Sequence, residues 1–238
     1  MLSFPEILMI MLVFALLFIP RMLQIKEINY QELETAILKQ FNDNNLIAET
    51  TDSKIGTMLN YFHQISKSKI PQYKHYIWLE DEINAMALPS GTILISKGFL
   101  ENIENFTDDE IASVLAHEIG HIELGHAKSR LEDQVKAEIF EDGVQMLSRN
   151  VIVCLGAKGL SFLSQQLFCR DQEYEADNYA VKLLHKSKYN PRGFVTLLEK
   201  FKNKAHTPKW IEIISTHPHL DERIENTLKQ LEVILKNK

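Results

Sequence analysis

The sequence is poor in the residues that characterise several specialised protein classes. It has only two cysteines, Cys154 and Cys169, too few for a disulfide framework or a thiolate zinc site. Nine glycines and seven prolines in 238 residues exclude a collagen-like or low-complexity chain. Lysine and arginine number 26 against 32 aspartates and glutamates, a net charge of −6, so the sequence lacks the basic excess typical of nucleic-acid-binding proteins. We therefore expect no nucleic-acid partner.

The remaining composition is that of a globular domain with a sizeable core. Hydrophobic residues make up 45% of the chain and charged residues 24%, close to the average for soluble proteins. A chain of this length buries about 70% of the surface that its unfolded form exposes. Because no internal repeat or flexible linker divides the sequence, we predict one domain over residues 23–238 and a separate N-terminal segment over residues 1–22.

The N-terminal segment contains an apolar run, residues 7–19, that ends at Pro20 and Arg21. This run is shorter than the roughly 20 residues that span a bilayer, although apolar residues on both sides extend it. A cleaved signal peptide would have basic residues before the run and a small-residue cleavage site after it, and neither is present. We expect an uncleaved single-pass membrane helix, with the side of the membrane left open; the alternative is a buried core helix.

The body of the chain predicts an α+β fold that is mainly helical. Residues 31–66 show amphipathic helical spacing with a break at 42–45, and the sequence from Thr107 onward is helix and loop. Between them, short strands are predicted at 76–79, 84–88 and 92–96, with a turn at 89–91. Because proline cannot donate to a ladder, Pro89 makes the 84–88 strand an edge strand.

The motif His117-Glu118-Ile-Gly-His121 carries the strongest chemical signal. Thr107-Asp-Asp-Glu110 is a capping box that predicts the start of its helix, and on that helix the two histidines project about 40° apart. Two imidazoles one turn apart can hold one zinc ion, while the carboxylate between them acts as general base toward a water. The alternative is a pair of ordinary helix histidines.

A third zinc ligand is predicted within residues 170–177. On a helical wheel, Glu173 and Asp177 share the core-facing side, where carboxylates are costly unless cations meet them. We expect Glu173 to bind the metal and Asp177 to hold the N–H of a ligand imidazole. The alternative is a structural carboxylate pair neutralised by Arg170 or by a lysine.

His126 is the rival third ligand. If the helix of the motif continues, His126 lies about 180° from His117 and points away from the metal. Only a helix end at Gly125 would turn it back. We therefore favour Glu173 over His126 and expect His126 to be a surface histidine.

His217 is the last candidate, in the motif Ser215-Thr-His217-Pro218. Proline holds the residue before it extended, so His217 is presented on a shaped loop. It can stabilise an oxyanion, occupy the fourth metal position and hold the enzyme latent, or be a plain loop histidine. The sequence favours the oxyanion role, in which loss of the imidazole lowers activity.

These motifs together resemble one family of zinc endopeptidases. The family comprises the HtpX-like and CaaX-prenyl-protease-like gluzincins, including the Oma- and BepA-type quality-control proteases. Four motifs carry the resemblance in the family's order between Asn84 and Arg223: Asn-Ala-Met-Ala-Leu-Pro, His-Glu-Ile-Gly-His, Arg-Asp-Gln-Glu-Tyr-Glu-Ala-Asp and Ser-Thr-His-Pro.

The resemblance implies a zincin-like fold and one zinc ion per chain. It does not carry over the compartment, for which we expect the bacterial envelope. It also implies a role for each matching residue: zinc ligands His117, His121 and Glu173, general base Glu118, supporting carboxylate Asp177 and auxiliary histidine His217.

We therefore predict a membrane-anchored zinc endopeptidase for misfolded or unfolded proteins. The peptide is expected to bind by strand addition, which gives sequence-tolerant affinity, along the edge strand of Asn84, Ala85, Met86 and Ala87. Two alternatives stay open. One is a zinc-containing, chaperone-like or latent client-binding module, and the other is a helical membrane-associated structural protein.

Overall fold

The computed structural model describes residues 29–49, 53–141 and 168–236, together with the isolated positions Met9, Leu12 and Leu16. The predicted membrane segment, apart from those three residues, and the predicted domain boundary at residue 22 lie outside the described residues. Within the described ranges, no helix has the length and apolar character needed to cross a membrane.

The described residues form a mainly helical fold with one small sheet, as predicted. Its elements in chain order are α1 (Tyr30–Asp43), β1 (Ile47–Ala48), α2 (Ser53–Ser66), β2 (Lys74–Trp78), β3 (Ala85–Ala87), β4 (Thr92–Ser96), α3 (Lys97–Glu101), α4 (Asp108–Glu123), α5 (His126–Glu141), α6 (Arg170–His185), α7 (Gly193–Lys204), α8 (Ile211–Thr216) and α9 (Leu220–Lys236), with 3-10 turns at Ile103–Asn105 and Pro208–Trp210.

The sheet is mixed, with the strand order β1–β2–β4–β3. The central pair β2 and β4 is parallel, whereas β1 and β3 run antiparallel to their neighbours. β3 therefore lies at an edge of the described sheet, as predicted from Pro89. Its Met86 is paired with Leu94, and alternate backbone groups point away from β4.

The two faces of the sheet pack into separate apolar clusters. Ala85 and Ala87 of β3 face the larger cluster, which includes the buried side of α4. Met86 faces the smaller cluster, which is built with α1. This alternation follows from the two-residue period of a strand, and it places the motif helix directly beneath the edge strand.

Helix α4 begins where the capping box predicts. The backbone N–H of Glu110 donates to Thr107 Oγ1 at 3.2 Å, and the N–H of Thr107 donates to Glu110 Oε2 at 2.8 Å. These two bonds satisfy donors that a helix start leaves unpaired. Every residue from 110 to 122 is buried, so α4 is a central helix rather than a surface one.

Helices α4 and α6 approach each other closely at Gly120, the glycine within the His-Glu-Ile-Gly-His motif. A Cβ at this position would lie 2.9 Å from the carbonyl oxygen of Ala176 and 3.1 Å from its Cα. Both atoms belong to backbone and cannot rotate away. The glycine therefore sets the distance between the helix that carries the two motif histidines and the helix that carries Glu173.

Gly120→Ala is expected to lower the free energy of unfolding by about 1–3 kcal/mol, because the added methyl group forces the two backbones apart. Equilibrium denaturation in urea measures the loss. The matched control is Gly56→Ala in α2, where a Cβ would meet one side-chain atom of His75 at an ordinary 3.4 Å. That change should be neutral or stabilising by up to about 1 kcal/mol. Equal effects of the two substitutions would show that α4 and α6 can accommodate a Cβ at position 120 without moving apart.

Candidate active site

The two motif histidines project from α4 into a buried cluster. Their Nε2 atoms lie 3.1 Å apart, as expected for side chains one helical turn apart on the same face. His121 is fully buried and His117 is 5% exposed. Glu118, between them, is also buried, and its Oε2 atom has no hydrogen-bond partner among the described residues.

Helix α6 brings both predicted carboxylates to the same place. Glu173 Oε1 lies 3.3 Å from His121 Nε2, and Glu173 Oε2 lies 3.6 Å from His117 Nε2. Asp177 stands one turn further on, with Oδ1 2.9 Å from His117 Nδ1. At this distance His117 Nδ1 nevertheless makes no hydrogen bond of regular geometry among the described residues. Both carboxylates are completely buried, in accord with the helical-wheel prediction.

His217 joins this cluster from the end of α8. Its Nδ1 atom lies 3.2 Å from both His117 Nε2 and Glu173 Oε1, and its Nε2 atom lies 3.6 Å from Glu118 Oε1. The ring therefore stands between the carboxylate of Glu118 and the other donor atoms. Of the three possibilities that the sequence leaves open for His217, a plain loop histidine is the one this position argues against.

The donor atoms fit the requirements of a zinc ion. One donor from each of His117, His121, Glu173 and His217 lies within 4.8 Å of the other three. Four ligands at zinc distances of about 2.0–2.1 Å in a tetrahedron stand about 3.3 Å from one another. Five of the six donor pairs, each taken to one of the two Glu173 oxygens where Glu173 is involved, are 3.1 to 3.6 Å apart, and the sixth pair, His121 and His217, lies within 4.8 Å. Two or three imidazoles with one carboxylate are also a donor chemistry that zinc accepts.

Arg223 is a functional residue that the sequence analysis missed. This arginine is 2% exposed, and its Nε and Nη2 atoms donate to the two oxygens of Asp177 at 2.8 and 2.7 Å. Its Nη1 lies 2.7 Å from Glu173 Oε2 and donates to the backbone carbonyl of His217 at 3.1 Å. One side chain thus contacts both carboxylates and the loop of the auxiliary histidine.

The structure differs here from the expectation for Arg170. The structural alternative for the two carboxylates made Arg170 their neutralising cation, but its side chain is 56% exposed and its Nη1 lies 3.5 Å from Glu222 on the surface. Arg170 is the first residue of α6, and there its side chain extends along the surface toward Glu222 of α9. The neutralising cation comes instead from α9, which is distant in sequence.

Burial and neighbouring charges shift the ionisation of the cluster. Burial raises the pKa of Glu118 despite the opposing effect of His217 and His117. For Glu173, burial also acts upward, but Arg223, His217 and His117 outweigh it and hold the pKa well below its usual range. For the histidine His121, burial acts in the opposite direction and lowers the pKa, which favours the neutral imidazole that binds metals.

His126 lies beside the cluster rather than in it. Helix α4 ends at Glu123, and Gly125 adopts a φ of +74°, so the chain turns as the sequence analysis required for His126 to face back. Its Nδ1 reaches His121 Nδ1 at 3.0 Å, and its Nε2 reaches Glu175 Oε2 at 3.0 Å. The imidazole is 5% exposed, in contrast to the expected surface position.

The residues of the predicted substrate strand are buried in the described form. Ala85, Met86 and Ala87 are each 3% exposed or less. Asn84 Oδ1 accepts from the backbone N–H of Ala85 at 2.8 Å and lies 3.4 Å from Thr216 Oγ1. The end of α8 thus contacts the start of β3.

Arg223→Met is expected to lower the free energy of unfolding by about 3–5 kcal/mol, because it leaves two buried carboxylates without their cation. The folded state holds the pKa of Glu173 below the unfolded value, so this stabilisation is present at neutral pH and is lost as the pH falls below about 4. The deficit of the variant should therefore be full at pH 7 and shrink only below about pH 4, which urea denaturation of metal-free protein at pH 7, pH 5 and pH 3 measures.

The matched control for this substitution is Arg170→Met, which breaks an exposed pair. Its cost should stay within about 1 kcal/mol at either pH. A loss in Arg223→Met that is equally small would contradict the view that Arg223 compensates the buried carboxylates.

Residues 50–231 match the family model described as Peptidase family M48. Metalloprotease LoiP of Escherichia coli (strain K12) is 29% identical over 157 residues, which cover 63% of this chain and 59% of that protein. The beta-barrel assembly-enhancing protease of the same strain is 28% identical over 154 residues, 60% of this chain and 31% of that protein. The mitochondrial metalloendopeptidase OMA1 of Arabidopsis thaliana is 30% identical over 140 residues, 58% of this chain and 27% of that protein.

The matched stretch spans at most 59% of the length of these three relatives. The family match, in contrast, covers most of this chain and all four donor residues. The chain therefore belongs to peptidase family M48, and both the resemblance and the metallo-endopeptidase class predicted from the sequence are confirmed at the level of the family.

Proposed function

We propose that this chain is a zinc-dependent endopeptidase in which His117, His121 and Glu173 bind one zinc ion and Glu118 is the general base. The observation that carries the proposal is the convergence of four buried donor atoms within 4.8 Å beside a buried carboxylate with a free oxygen. A bound zinc ion would polarise the scissile carbonyl and acidify the attacking water.

Glu118 performs the proton transfers in this proposal. Its raised pKa brings the carboxylate closer to the working pH, where a general base is most effective. Its unpartnered Oε2 accepts the proton of the water, and the carboxyl group then returns that proton to the leaving amine. Asp177 and Arg223 touch neither water nor peptide; they hold His117 and Glu173 in place.

We infer that the peptide binds along β3, because this edge strand of the described sheet lies close to Glu118. Two hydrogen bonds join β3 to its neighbour on either side of Met86, one from the Ser96 N–H to the Asn84 carbonyl and one from the Leu88 N–H to the Thr92 carbonyl. Because hydrogen-bonded positions alternate along an antiparallel strand, the backbone groups of Met86 also point toward β4. The carbonyls of Ala85 and Ala87 therefore point away from β4. Main-chain pairing does not depend on particular side chains of the peptide, which supports misfolded or unfolded proteins as the substrate class.

Residues 7–19 are the proposed membrane anchor.

We further propose that the described form is a closed one that His217 holds latent. Its imidazole reaches the donor atoms through Nδ1 and Glu118 through Nε2, so it fills the space that the attacking water needs. This proposal takes the opposite sign from the one that the sequence favoured for His217, because an oxyanion donor would leave the water site free.

The same closed geometry favours a second candidate function, a client-binding module with little proteolysis. A refolding assay run beside digestion of an unfolded protein separates the two. Protection of the client without cleavage, in wild type and in a variant without the His217 imidazole, would favour the binding module.

Glu118→Gln is expected to lower kcat for peptide hydrolysis by about 10²–10⁴-fold while leaving zinc content and folding unchanged, because the amide keeps the size but cannot accept the proton. Turnover of an unfolded protein and metal analysis of the same sample measure both. The exposed Glu104→Gln serves as the control and should match wild type. Loss of zinc in Glu118→Gln would make Glu118 a ligand and overturn the assigned roles.

His217→Ala is expected to raise peptidase activity, since it clears the space between Glu118 and the donor atoms. The gain should appear in kcat/KM for a short unfolded peptide, with the exposed His206→Ala as control. A fall of about 10²–10³-fold would instead assign His217 to the oxyanion, the typical cost of removing one such donor. Unchanged activity and zinc affinity would leave it a bystander.

A further inference from the structure

The second ring nitrogen of His121 makes a contact that the proposed reaction does not use. While His121 Nε2 faces the donor cluster, its Nδ1 lies 3.0 Å from His126 Nδ1. His126 Nε2 in turn lies 3.0 Å from Glu175 Oε2. The side chain of Glu175 is 63% exposed, so a continuous polar chain runs from the buried donors to the surface.

Only one placement of protons satisfies this chain when His121 serves as a ligand. An imidazole that offers Nε2 to a metal carries its proton on Nδ1, and that proton needs an acceptor. His126 Nδ1 can accept it if the proton of His126 sits on Nε2, where the Glu175 carboxylate accepts it. Each nitrogen and oxygen in the chain then has one compatible partner.

The local backbone is shaped to make this contact. Gly125 has a φ of +74°, a conformation that costs residues with a Cβ about 1–2 kcal/mol. A Cβ there would meet no atom within 4 Å, so the glycine is required for its backbone conformation and not for space. This turn ends α4 and brings the first residue of α5, His126, back against the last turn of α4.

Phe168 constrains the remaining freedom of the His121 ring. The two rings stack at a centroid distance of 3.7 Å with 19° between their planes. Stacking fixes the plane of the imidazole but not its 180° flip about the Cβ–Cγ bond, which keeps the plane and exchanges the two edges of the ring. The contact of Nδ1 with His126 selects one of the two flips, so the two contacts are complementary.

We propose that His126 is a positioning residue that fixes the tautomer and orientation of His121 through Nδ1, with Glu175 fixing His126 in turn. The proposal rests on the proposed metal site. It gives the two motif histidines different supports, the carboxylate of Asp177 for His117 and a second imidazole for His121.

Two substitutions of His126 each remove one of its two contacts and retain the other. The side-chain oxygen of asparagine can occupy the place of Nδ1, so His126→Asn retains the acceptor for His121 and loses the link to Glu175. The longer amide of glutamine reaches the place of Nε2, so His126→Gln retains the link to Glu175 and loses the acceptor. His126→Phe removes both and keeps the ring.

The experiment is zinc titration of the full chain against a chromophoric chelator. We expect the Kd for zinc to rise about 10–100-fold in His126→Gln and His126→Phe, the range typical for loss of a residue that supports a metal ligand. His126→Asn should rescue most of the affinity, and the exposed His206→Asn should match wild type. Thermal unfolding of the metal-free proteins should show no difference between His126→Asn and His126→Gln.

Two outcomes would overturn the proposal alone. One is equal zinc affinity for His126→Asn and His126→Gln while wild type binds zinc and cleaves peptide. The other is a loss of thermal stability in the metal-free form of the same variants that lose zinc affinity, which would make His126 a packing residue. A wild-type chain that binds no zinc would overturn the proposed function as well, since His121 would then have no ligand role to support.

Discussion

The close approach of α4 and α6 is the constraint on which the rest of the site depends. The histidines come from one helix and Glu173 from the other, and zinc ligands must stand about 3.3 Å apart. Gly120 permits this spacing, because any Cβ would strike the backbone at Ala176. The glycine of the motif is therefore as much a part of the proposed metal site as the side chains that surround it, although it contributes no donor atom.

The close approach of α4 and α6 also buries two carboxylates. Glu173 and Asp177 are fully buried, and isolated charges in such a place are very costly. Arg223 compensates both, and it also holds the carbonyl of His217. Helix α9 is thus tied to the site electrostatically, and the position of the proposed blocking histidine is coupled to the charge on the proposed ligand.

The sequence predicted what depends on local periodicity and missed what depends on long-range pairing. The capping box at Thr107 and the inward face of Glu173 and Asp177 could be derived because each lies within one helix. Arg223 could not, since its position in an amphipathic helix does not distinguish it from a surface arginine, and Arg170 was nearer in sequence. The parallel pairing of β2 with β4 is likewise non-local. The direction of His126 depended on the single φ angle of Gly125.

In the proposed closed form, His217 is tied to two other parts of the site. Arg223 Nη1 donates to the backbone carbonyl of His217, and the same guanidinium compensates Glu173 and Asp177. A displacement of the His217 backbone would therefore also disturb the contact that stabilises the buried carboxylates. His217 follows directly on α8, whose last residue, Thr216, lies 3.4 Å from Asn84 at the start of β3. A shift of α8 that moves the imidazole away from Glu118 would thus also act on the proposed peptide-binding strand, which links proposed activation to substrate binding.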